Sequence, residues 1–180
     1  MKSPGMGSLG KTSSGMTRPP AVCIRPMSAG DIGRVLEIAE GLPDAPHWTA
    51  SAYFEAIDSD HRPLRVSLVA ADAEAGAQAS ARGDAPIGFL VASVAAPEAE
   101  LETIAVAAEG RRRGVGSLLL GALLEALRRA QVTELRLEVR ASNQAALRFY
   151  RAQGFAETGR RPRYYANPEE DAVLLGLRLG

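Results

Sequence analysis

The hydrophobic positions along the chain follow two different periods, which predicts a domain that mixes strands and helices. Short apolar runs between turn-forming residues favour strands over residues 21–25, 64–71, 86–95, 101–107 and 171–179. In the segment 135–139, apolar and charged residues alternate, so Leu135, Leu137 and Val139 share one face of a further strand. Both faces of such a sheet need covering, and the chain has segments with helical spacing to do this.

Four segments show apolar residues at the three- and four-residue spacing of amphipathic helices. The first follows a capping-box-like start at residues 28–31 and carries one apolar face, formed by Ile32, Val35, Leu36, Ala39 and Leu42. The second follows Thr49, a candidate helix cap, and Pro43 and Pro46 separate it from the first.

The third and fourth predicted helices flank the alternating strand. The third covers about residues 115–130, and the fourth runs from Ser142 or Asn143 to Gln153, where Gly154 is a typical helix stop. The strand, helix and strand that precede residue 140 form a crossover connection, which implies two parallel strands. We therefore expect an α/β (α+β) fold.

Composition divides the chain into a tail and one domain. Residues 1–20 are rich in Gly, Ser and Pro and predict a disordered N-terminal tail, and residues 21–180 form a single domain. Residues 73–85 are expected to form a loose surface connection between two strands. Neither a membrane span of about 18 apolar residues nor a secretory signal is recognisable, so a cytoplasmic protein is expected.

The charges are balanced overall but unevenly distributed. The chain has 21 basic and 21 acidic residues, and residues 101–180 hold 13 of the basic ones against nine acidic ones. An asymmetry of this kind is typical of a protein with one anionic ligand site. It does not favour direct nucleic-acid binding, because the cations gather at one turn without a stacking array.

The counts of lysine, cysteine and histidine exclude several chemistries. Lys2 and Lys11 are the only lysines, which disfavours a Walker-type phosphate site, a Schiff-base enzyme and a pyridoxal phosphate enzyme. The single cysteine, Cys23, excludes an intrachain disulfide and a thiolate zinc cluster. His47 and His61 have no acidic partner at ligand spacing, so no metal site is expected.

The turn before the third helix has the features of an anion site. It reads RRRGVGS and comprises Arg111, Arg112, Arg113, Gly114, Val115, Gly116 and Ser117. Glycines let backbone N–H groups approach a ligand, and the first turn of a helix offers unpaired donors and partial positive charge to a diphosphate. The alternative is a solvated arginine-rich loop.

Several motifs in one order carry a family resemblance. They are Thr103–Val106 (TIAV), RRRGVGS, residues 137–143 (LEVRASN), residues 146–150 (ALRFY), Gly154-Phe155, residues 163–165 (RYY) and Glu170-Asp171. Together they resemble the GNAT N-acetyltransferase superfamily, and within it the ribosomal-protein-alanine N-acetyltransferases, which acetylate the α-amino group of a protein N-terminus. The resemblance is dense over about residues 100–180 and weaker over 22–95, where only Pro46-His47-Trp48 matches.

The resemblance implies a fold, a reaction and a co-substrate. The fold would be a GNAT-like domain with a mixed twisted sheet of about six to seven strands flanked by about four helices. The reaction would transfer acetyl from acetyl-CoA, without a metal, to the N-terminal amine of a protein, and the resemblance implies a ribosomal protein as that acceptor. Two alternatives stay open: a small-molecule amine or lysine side chain as acceptor, and a non-catalytic acyl-CoA-binding module.

The resemblance also assigns roles to single residues. Glu138 would be the general base and Tyr150 the general acid toward the CoA thiolate. The alternatives are a solvated strand glutamate between two arginines and a core aromatic ring. The backbone of Ile104, Ala105 and Val106 would bind the pantetheine arm, residues 111–117 would wrap the diphosphate, and Asn143 would contact the cofactor.

Two positions depart from the family pattern or add alternatives. The family often has Asn where this chain has Thr103, and Glu102 immediately before it is a competing candidate base. Arg163, Tyr164 and Tyr165 resemble a substrate-side loop whose rings could frame an incoming N-terminus; an ordinary surface loop is the alternative.

Overall fold

The computed structural model describes residues 21–42, 48–73 and 85–180. These form seven strands and four α-helices, in the order β1 Ala21–Pro26, α1 Ile32–Glu40, α2 Ala50–Ile57, β2 Leu64–Ala73, β3 Pro86–Ala95, β4 Glu98–Val106, α3 Val115–Arg129, β5 Glu134–Arg140, α4 Gln144–Ala152, β6 Ala156–Ala166 and β7 Glu169–Arg178. The tail predicted over residues 1–20, the two prolines Pro43 and Pro46, and most of the connection predicted at 73–85 lie outside the described residues.

One mixed sheet holds all seven strands in the order β1-β2-β3-β4-β5-β7-β6. The β4–β5 pair is parallel and the other pairs are antiparallel. The parallel pair confirms the crossover predicted from the strand, helix and strand pattern. The predicted α/β fold with six to seven strands and four helices is confirmed.

Helices cover both faces of the sheet and so create two cores. On one face, the fully buried leucines of α3, Leu119, Leu120, Leu123 and Leu127, pack against β5 and β7 residues such as Leu135 and Leu175. On the other face, Val35 of α1 and Tyr53 of α2 pack against Phe89 and Val91 of β3. Helices α1 and α2 cover the β1–β4 side only, so the second face of β5 to β7 has no helix over it among the described residues.

A buried ion pair fixes the start of α1. The Asp31 side chain is only 6% exposed and accepts from both terminal nitrogens of Arg25, at 2.7 and 2.8 Å. Ser28 donates its backbone N–H and its hydroxyl to the same carboxylate, which confirms the predicted cap at residues 28–31. These donors, led by Arg25, lower the pKa of Asp31 from 3.8 to about 2.

Replacing Asp31 with asparagine is expected to lower the free energy of unfolding at pH 7 by about 2 kcal/mol, because a shift from 3.8 to about 2 stabilises the charged form in the folded state. The stabilisation is complete above pH 4 and disappears as the pH falls through about 2, since the pKa is depressed on folding. Urea unfolding of both proteins between pH 2 and pH 7 measures the difference. An equal difference at pH 2 and pH 7 would contradict this account.

Three sequence predictions need correction. Residues 163–165 were expected to lie in a loop, but they belong to β6, which extends to Ala166 and pairs with β7. In α1 the fully buried set includes Ile38, whereas Leu36 and Leu42 are only partly buried. Strand β4 begins at Glu98, three residues earlier than predicted.

No helix among the described residues is long and apolar enough to cross a membrane.

Candidate active site

The candidate site lies where the two parallel strands move apart. Strands β4 and β5 are paired only from Glu98 to Glu100 and from Glu134 to Arg136. Beyond that point β4 continues to Val106 and β5 to Arg140, and neither has the other as a partner. The backbone of this part of β4 therefore faces an opening on its β5 side, and backbone groups there can pair with an extended ligand.

A register shift in β4 precedes the opening. The β3–β4 pairing passes from Ala92–Leu101 to Val91–Thr103, so Glu102 is the extra residue of a β-bulge. Before the bulge, Leu101 packs into the core under α3. After it, Ile104 and Val106 pack toward that core, whereas Ala105 faces the core under α1 and α2.

A cavity of about 670 Å³ occupies the opening, and we call it the donor cavity. Its volume is typical of a site for a medium-sized organic ligand. Its lining includes nine of the residues predicted to bind the co-substrate, namely residues 104–106, Arg111, Arg112 and residues 114–117. The structure thus brings the predicted pantetheine strand and the predicted diphosphate loop into one cavity; their binding roles stay predictions.

The loop before α3 has an unusual backbone. Arg112 and Gly114 both have positive φ angles, +60° and +75°, and Gly114 is the cap residue of α3. Gly116 lies against the ring of Phe149, whose Cζ would be 3.4 Å from an added Cβ. Because α3 starts at Val115, the N–H groups of its first turn have no partner within the helix, and Val115, Gly116 and Ser117 all line the donor cavity.

Two predicted cofactor residues have other contacts. The guanidinium of Arg113 pairs with Asp72 of β2, with 3.2 Å between Nη1 and Oδ2, and Arg113 is not among the residues that line the donor cavity. The side-chain oxygen of Asn143 caps α4 by accepting from the N–H of Ala146 at 3.0 Å. Asn143 is likewise outside the described lining.

A second cavity of about 460 Å³ is lined by residues from the paired part of β4 and from β5, β6 and β7; we call it the acceptor groove. Four carboxylates line it: Glu98, Glu100, Glu134 and Glu138. Arg136 bonds to Glu98 at 2.8 Å and to Glu134 at 2.9 Å. Burial, together with the charges of Glu138 and Glu102, raises the pKa of Glu100.

Glu138 is the lining carboxylate at the open end of β5. Its side chain is only 16% exposed, and one oxygen lies 2.8 Å from Nη1 of Arg161 on β6. Tyr164 also hydrogen-bonds to Glu138, and this bond with the nearby charge raises the pKa of the tyrosine. The β6–β7 hairpin therefore holds this carboxylate from one side.

The competing base candidate has a different environment. Both oxygens of Glu102 accept from Arg65, at 2.8 and 3.2 Å, and Arg65 lies over the Trp48 ring at 5.7 Å from its centroid. Glu102 is not among the residues that line either cavity. Thr103 is buried, and its hydroxyl has no hydrogen-bond partner among the described residues.

Tyr150 belongs to the donor cavity. It is 7% exposed and packs edge-on against Phe149 and Phe155, at centroid distances of 5.2 and 5.5 Å. Burial raises its pKa well above the usual range, and Tyr165 adds to the shift. The phenol is therefore protonated at neutral pH, and its ring is part of the core as well as part of the cavity wall.

The predicted substrate-side residues lie on the β6–β7 hairpin. Tyr164 is about half exposed, and its ring contacts Tyr165 edge-on at 5.1 Å. Arg140 lies 4.1 Å from the centroid of Tyr165 and bonds to Glu170 at 3.3 Å. Arg163, with a φ of +53°, donates its N–H to Asp171 at 2.9 Å.

Sequence reasoning missed several residues of the site. Leu42, Ala145, Ala146 and Phe149 also line the donor cavity. The helical spacing of α4 could have indicated the last two, because Ala146 lies one turn before both Phe149 and Tyr150. Nothing in the sequence indicated Arg161, since the strand that carries it was not predicted.

This geometry defines a class of protein. One cavity has a helix N-terminus and two arginines in its lining, and a separate groove is lined with carboxylates. This pair of sites suits a transferase that binds an anionic donor and a cationic acceptor. The described residues contain no group of three or more His, Cys, Asp and Glu side chains arranged to hold a metal ion.

The chain belongs to the GNAT acetyltransferase family, whose model matches residues 37–155. It is therefore an acetyl-CoA-dependent acetyltransferase, as the motifs indicated. A relative from Salmonella typhimurium, the [ribosomal protein bS18]-alanine N-acetyltransferase, is 36% identical over 153 residues, which cover 84% of this chain and 93% of that protein.

Solved structures agree in fold. The ribosomal-protein-S18-alanine N-acetyltransferase of Escherichia coli superposes with a TM-score of 0.70 at 26% identity, over 89% of this chain and 95% of that chain. Ard1 from Thermoplasma volcanium superposes with a TM-score of 0.74 at 30% identity, over 89% and 99%. The resemblance to the ribosomal-protein-alanine branch is thereby confirmed.

Proposed function

We propose that this protein acetylates the N-terminal α-amino group of a protein, with a ribosomal protein as its natural acceptor. The observation that carries the proposal is that strand β4 contributes to both cavities: Glu98 to Glu100 line the acceptor groove, and Ile104 to Val106 line the donor cavity beyond the point where β4 and β5 separate. Tyr150 lies in the donor cavity and Glu138 in the acceptor groove. The names of the Salmonella and Escherichia coli relatives support the choice of acceptor. Residues 21–180 would form the catalytic domain.

The donor cavity would hold acetyl-CoA in an extended form. The backbone of residues 104–106 faces the opening and would pair with the pantetheine arm. Arg111, Arg112 and the first N–H groups of α3 would bind the diphosphate. Bound in this way, the thioester supplies an activated acetyl group at the point where the strands diverge.

Glu138 would remove a proton from the acceptor amine, directly or through one water. An α-amino group has an ordinary pKa of about 7.7–8.0, so a carboxylate within hydrogen-bond reach can help form the neutral nucleophile. The amine nitrogen then bonds to the acetyl carbon, and the carbon–sulfur bond breaks. Glu102 is the weaker candidate, because Arg65 occupies both of its oxygens and it lines neither cavity.

Tyr150 would donate a proton to the departing thiolate. Burial keeps the phenol protonated, and the same dry surroundings raise the proton affinity of a thiolate formed next to it. The position of the ring between Phe149 and Phe155 limits its motion, so its hydroxyl is held on the cavity wall.

The charge of the acceptor groove suits a cationic amine. Burial raises the pKa of Glu100, and the nearby charges of Glu138 and Glu102 raise it further. This concentration of carboxylates attracts a protonated amine. Arg161 neutralises Glu138 in the absence of an acceptor. An incoming ammonium group can take the place of this guanidinium, whose side chain is 55% exposed and free to move into solvent.

The proposed acceptor class predicts a clear order of substrates. With acetyl-CoA, peptides that begin with the first residues of ribosomal proteins should be acetylated at rates well above those for polyamines, aminoglycosides or free lysine. These rates are measured from the release of CoA, whose free thiol is detected with a thiol reagent. Incubation with ribosomal proteins from cells that lack this enzyme, followed by mass spectrometry of the intact proteins, identifies the natural acceptor as a gain of one acetyl group.

Peptides blocked by N-terminal formylation serve as the matched control and should be inert. Faster turnover of a small-molecule amine than of every peptide would replace the proposal with the small-molecule alternative. Tight CoA binding with no turnover of any amine would instead support a binding module.

A further inference from the structure

Arg113 is placed differently from its two neighbours in the diphosphate loop. Arg111 and Arg112 are exposed and line the donor cavity. Arg113 is turned to β2, where both of its terminal nitrogens bond to the two oxygens of Asp72, one of them at 3.2 Å. The two residues are 41 positions apart in sequence, so the pair ties the loop to a distant strand.

The backbone on either side of Arg113 has a conformation that requires support from its surroundings. Arg112 and Gly114 both lie in the left-handed region, with φ angles of +60° and +75°. A non-glycine residue keeps this conformation only where its surroundings hold it there. A two-point bond from the side chain between them fixes the direction of the loop and hence of the N–H groups that follow.

The segment between β4 and Arg111 is held by other hydrogen bonds and an ion pair. The N–H of Ala107 donates to the carbonyl of Ile87 at 2.9 Å. Arg34 of α1 donates to the carbonyl of Pro86 at 3.2 Å and pairs with Glu109. The Arg113–Asp72 ion pair holds the next segment, which leads into α3, in the same way.

We propose that Arg113 and Asp72 are positioning residues for acetyl-CoA: their ion pair holds the loop in the conformation that binds the diphosphate, and Arg113 does not itself bind phosphate. The inference rests on the family's use of acetyl-CoA and is independent of the acceptor. It gives a role to Asp72, which no motif indicated, and it replaces the direct contact predicted for Arg113.

Charge distinguishes positioning from direct binding. If Arg113 bound phosphate directly, replacing Asp72 with asparagine would release the arginine and raise the local positive charge, so CoA would bind equally well or more tightly. If the ion pair positions the loop, D72N and R113M both loosen it and both weaken binding, although they change the net charge in opposite directions.

The experiment is isothermal titration of CoA into the wild-type protein, R113M, D72N and the double variant, with D72E and R113K as milder changes. We expect each single variant to raise Kd about tenfold, and the double variant to be no worse than either single one. D72E should bind nearly as well as the wild type, because it keeps a carboxylate with two oxygens. Unchanged or tighter binding by D72N, or a double variant with multiplied effects, would overturn the proposal.

A truncated acetyl donor distinguishes a role in positioning the diphosphate loop from a general loss of stability. S-acetylpantetheine lacks the diphosphate, so R113M and D72N should use it as well as the wild type does, while KM for acetyl-CoA rises and kcat changes little. Equal losses with both donors would mean that the pair only stabilises the fold, and would also overturn the proposal.

The Arg25–Asp31 pair offers a matched control. It too is bidentate and partly buried, but it lies at the start of α1 and touches neither cavity. R25M should lower the thermal midpoint and leave the Kd for CoA unchanged. Weakened CoA binding by R25M to the same degree would show that loss of any buried ion pair suffices, which contradicts a special role for Arg113 and Asp72.

Discussion

Replacing Glu138 with glutamine is expected to lower kcat by a factor of about 10² to 10⁴, the range associated with loss of a general base. Glutamine keeps the shape and can still accept a hydrogen bond from Arg161 or Tyr164, but it cannot take a proton from the amine. The Kd for acetyl-CoA should stay within about twofold, because Glu138 lines the acceptor groove and not the donor cavity. Steady-state kinetics with a saturating peptide and titration of CoA measure the two quantities.

Glu102→Gln is the matched control for this change. It also neutralises a partly buried carboxylate with an arginine partner, here Arg65. Because Glu102 lines neither cavity, its replacement should alter kcat only a few fold. If E138Q kept full activity and E102Q lost it, the assignment of the base would be reversed.

Tyr150→Phe should lower kcat by a factor of about 10² or more, with a thermal midpoint close to that of the wild type. The change removes one oxygen atom and keeps the ring that packs against Phe149 and Phe155. Loss of the proton donor affects departure of the thiolate, so a donor with a more acidic leaving thiol should restore part of the rate. Rates with acetyl-CoA and with such an activated thioester measure this.

Tyr53→Phe removes a hydroxyl from an equally buried ring on the other face of the sheet. That hydroxyl has no hydrogen-bond partner among the described residues, so kcat should not change and the stability should stay equal or rise. Full activity of Tyr150→Phe would leave Tyr150 as a core residue only.

The sequence predicted most of the fold because its local signals agree with the tertiary structure. The leucines of α3 recur at helical spacing, and the alternation in β5 is strict, so both elements were found almost to the residue. Strand β6 was missed because nine of its eleven residues from Ala156 to Ala166 are exposed and none is buried, so it has no apolar face. Pairing with β7, rather than its own pattern, makes this segment a strand.

The sequence predicted those parts of the candidate site whose signals are local, and it missed the parts that depend on distant residues. The glycines before α3 and the LEVRASN motif are local in sequence, and they led to Gly114, Gly116 and Glu138. The partners of the charged residues are distant in sequence: Asp72 for Arg113, and Arg161 for Glu138. Such pairings depend on strand register and on the separation of β4 from β5, which no local pattern encodes.

The separation of β4 and β5 explains why one fold can bring two substrates together. Pairing at Glu98–Glu100 fixes the strands, and the bulge at Glu102 shifts the register of the rest of β4, whose backbone would bind the donor in the proposed function. The acidic side chains remain on the opposite, uncovered face. In the proposed function, donor and acceptor would therefore bind to neighbouring stretches of the same strand.

The central claim concerns the atom that receives the acetyl group, and one measurement tests it directly. A peptide with a free N-terminal alanine and an internal lysine is incubated with enzyme and acetyl-CoA, and the product is sequenced by tandem mass spectrometry. The proposed function predicts a single acetyl group on the α-nitrogen, formed at least about a hundredfold more slowly by E138Q. Acetylation of the lysine ε-nitrogen, with the N-terminus left free, would contradict it.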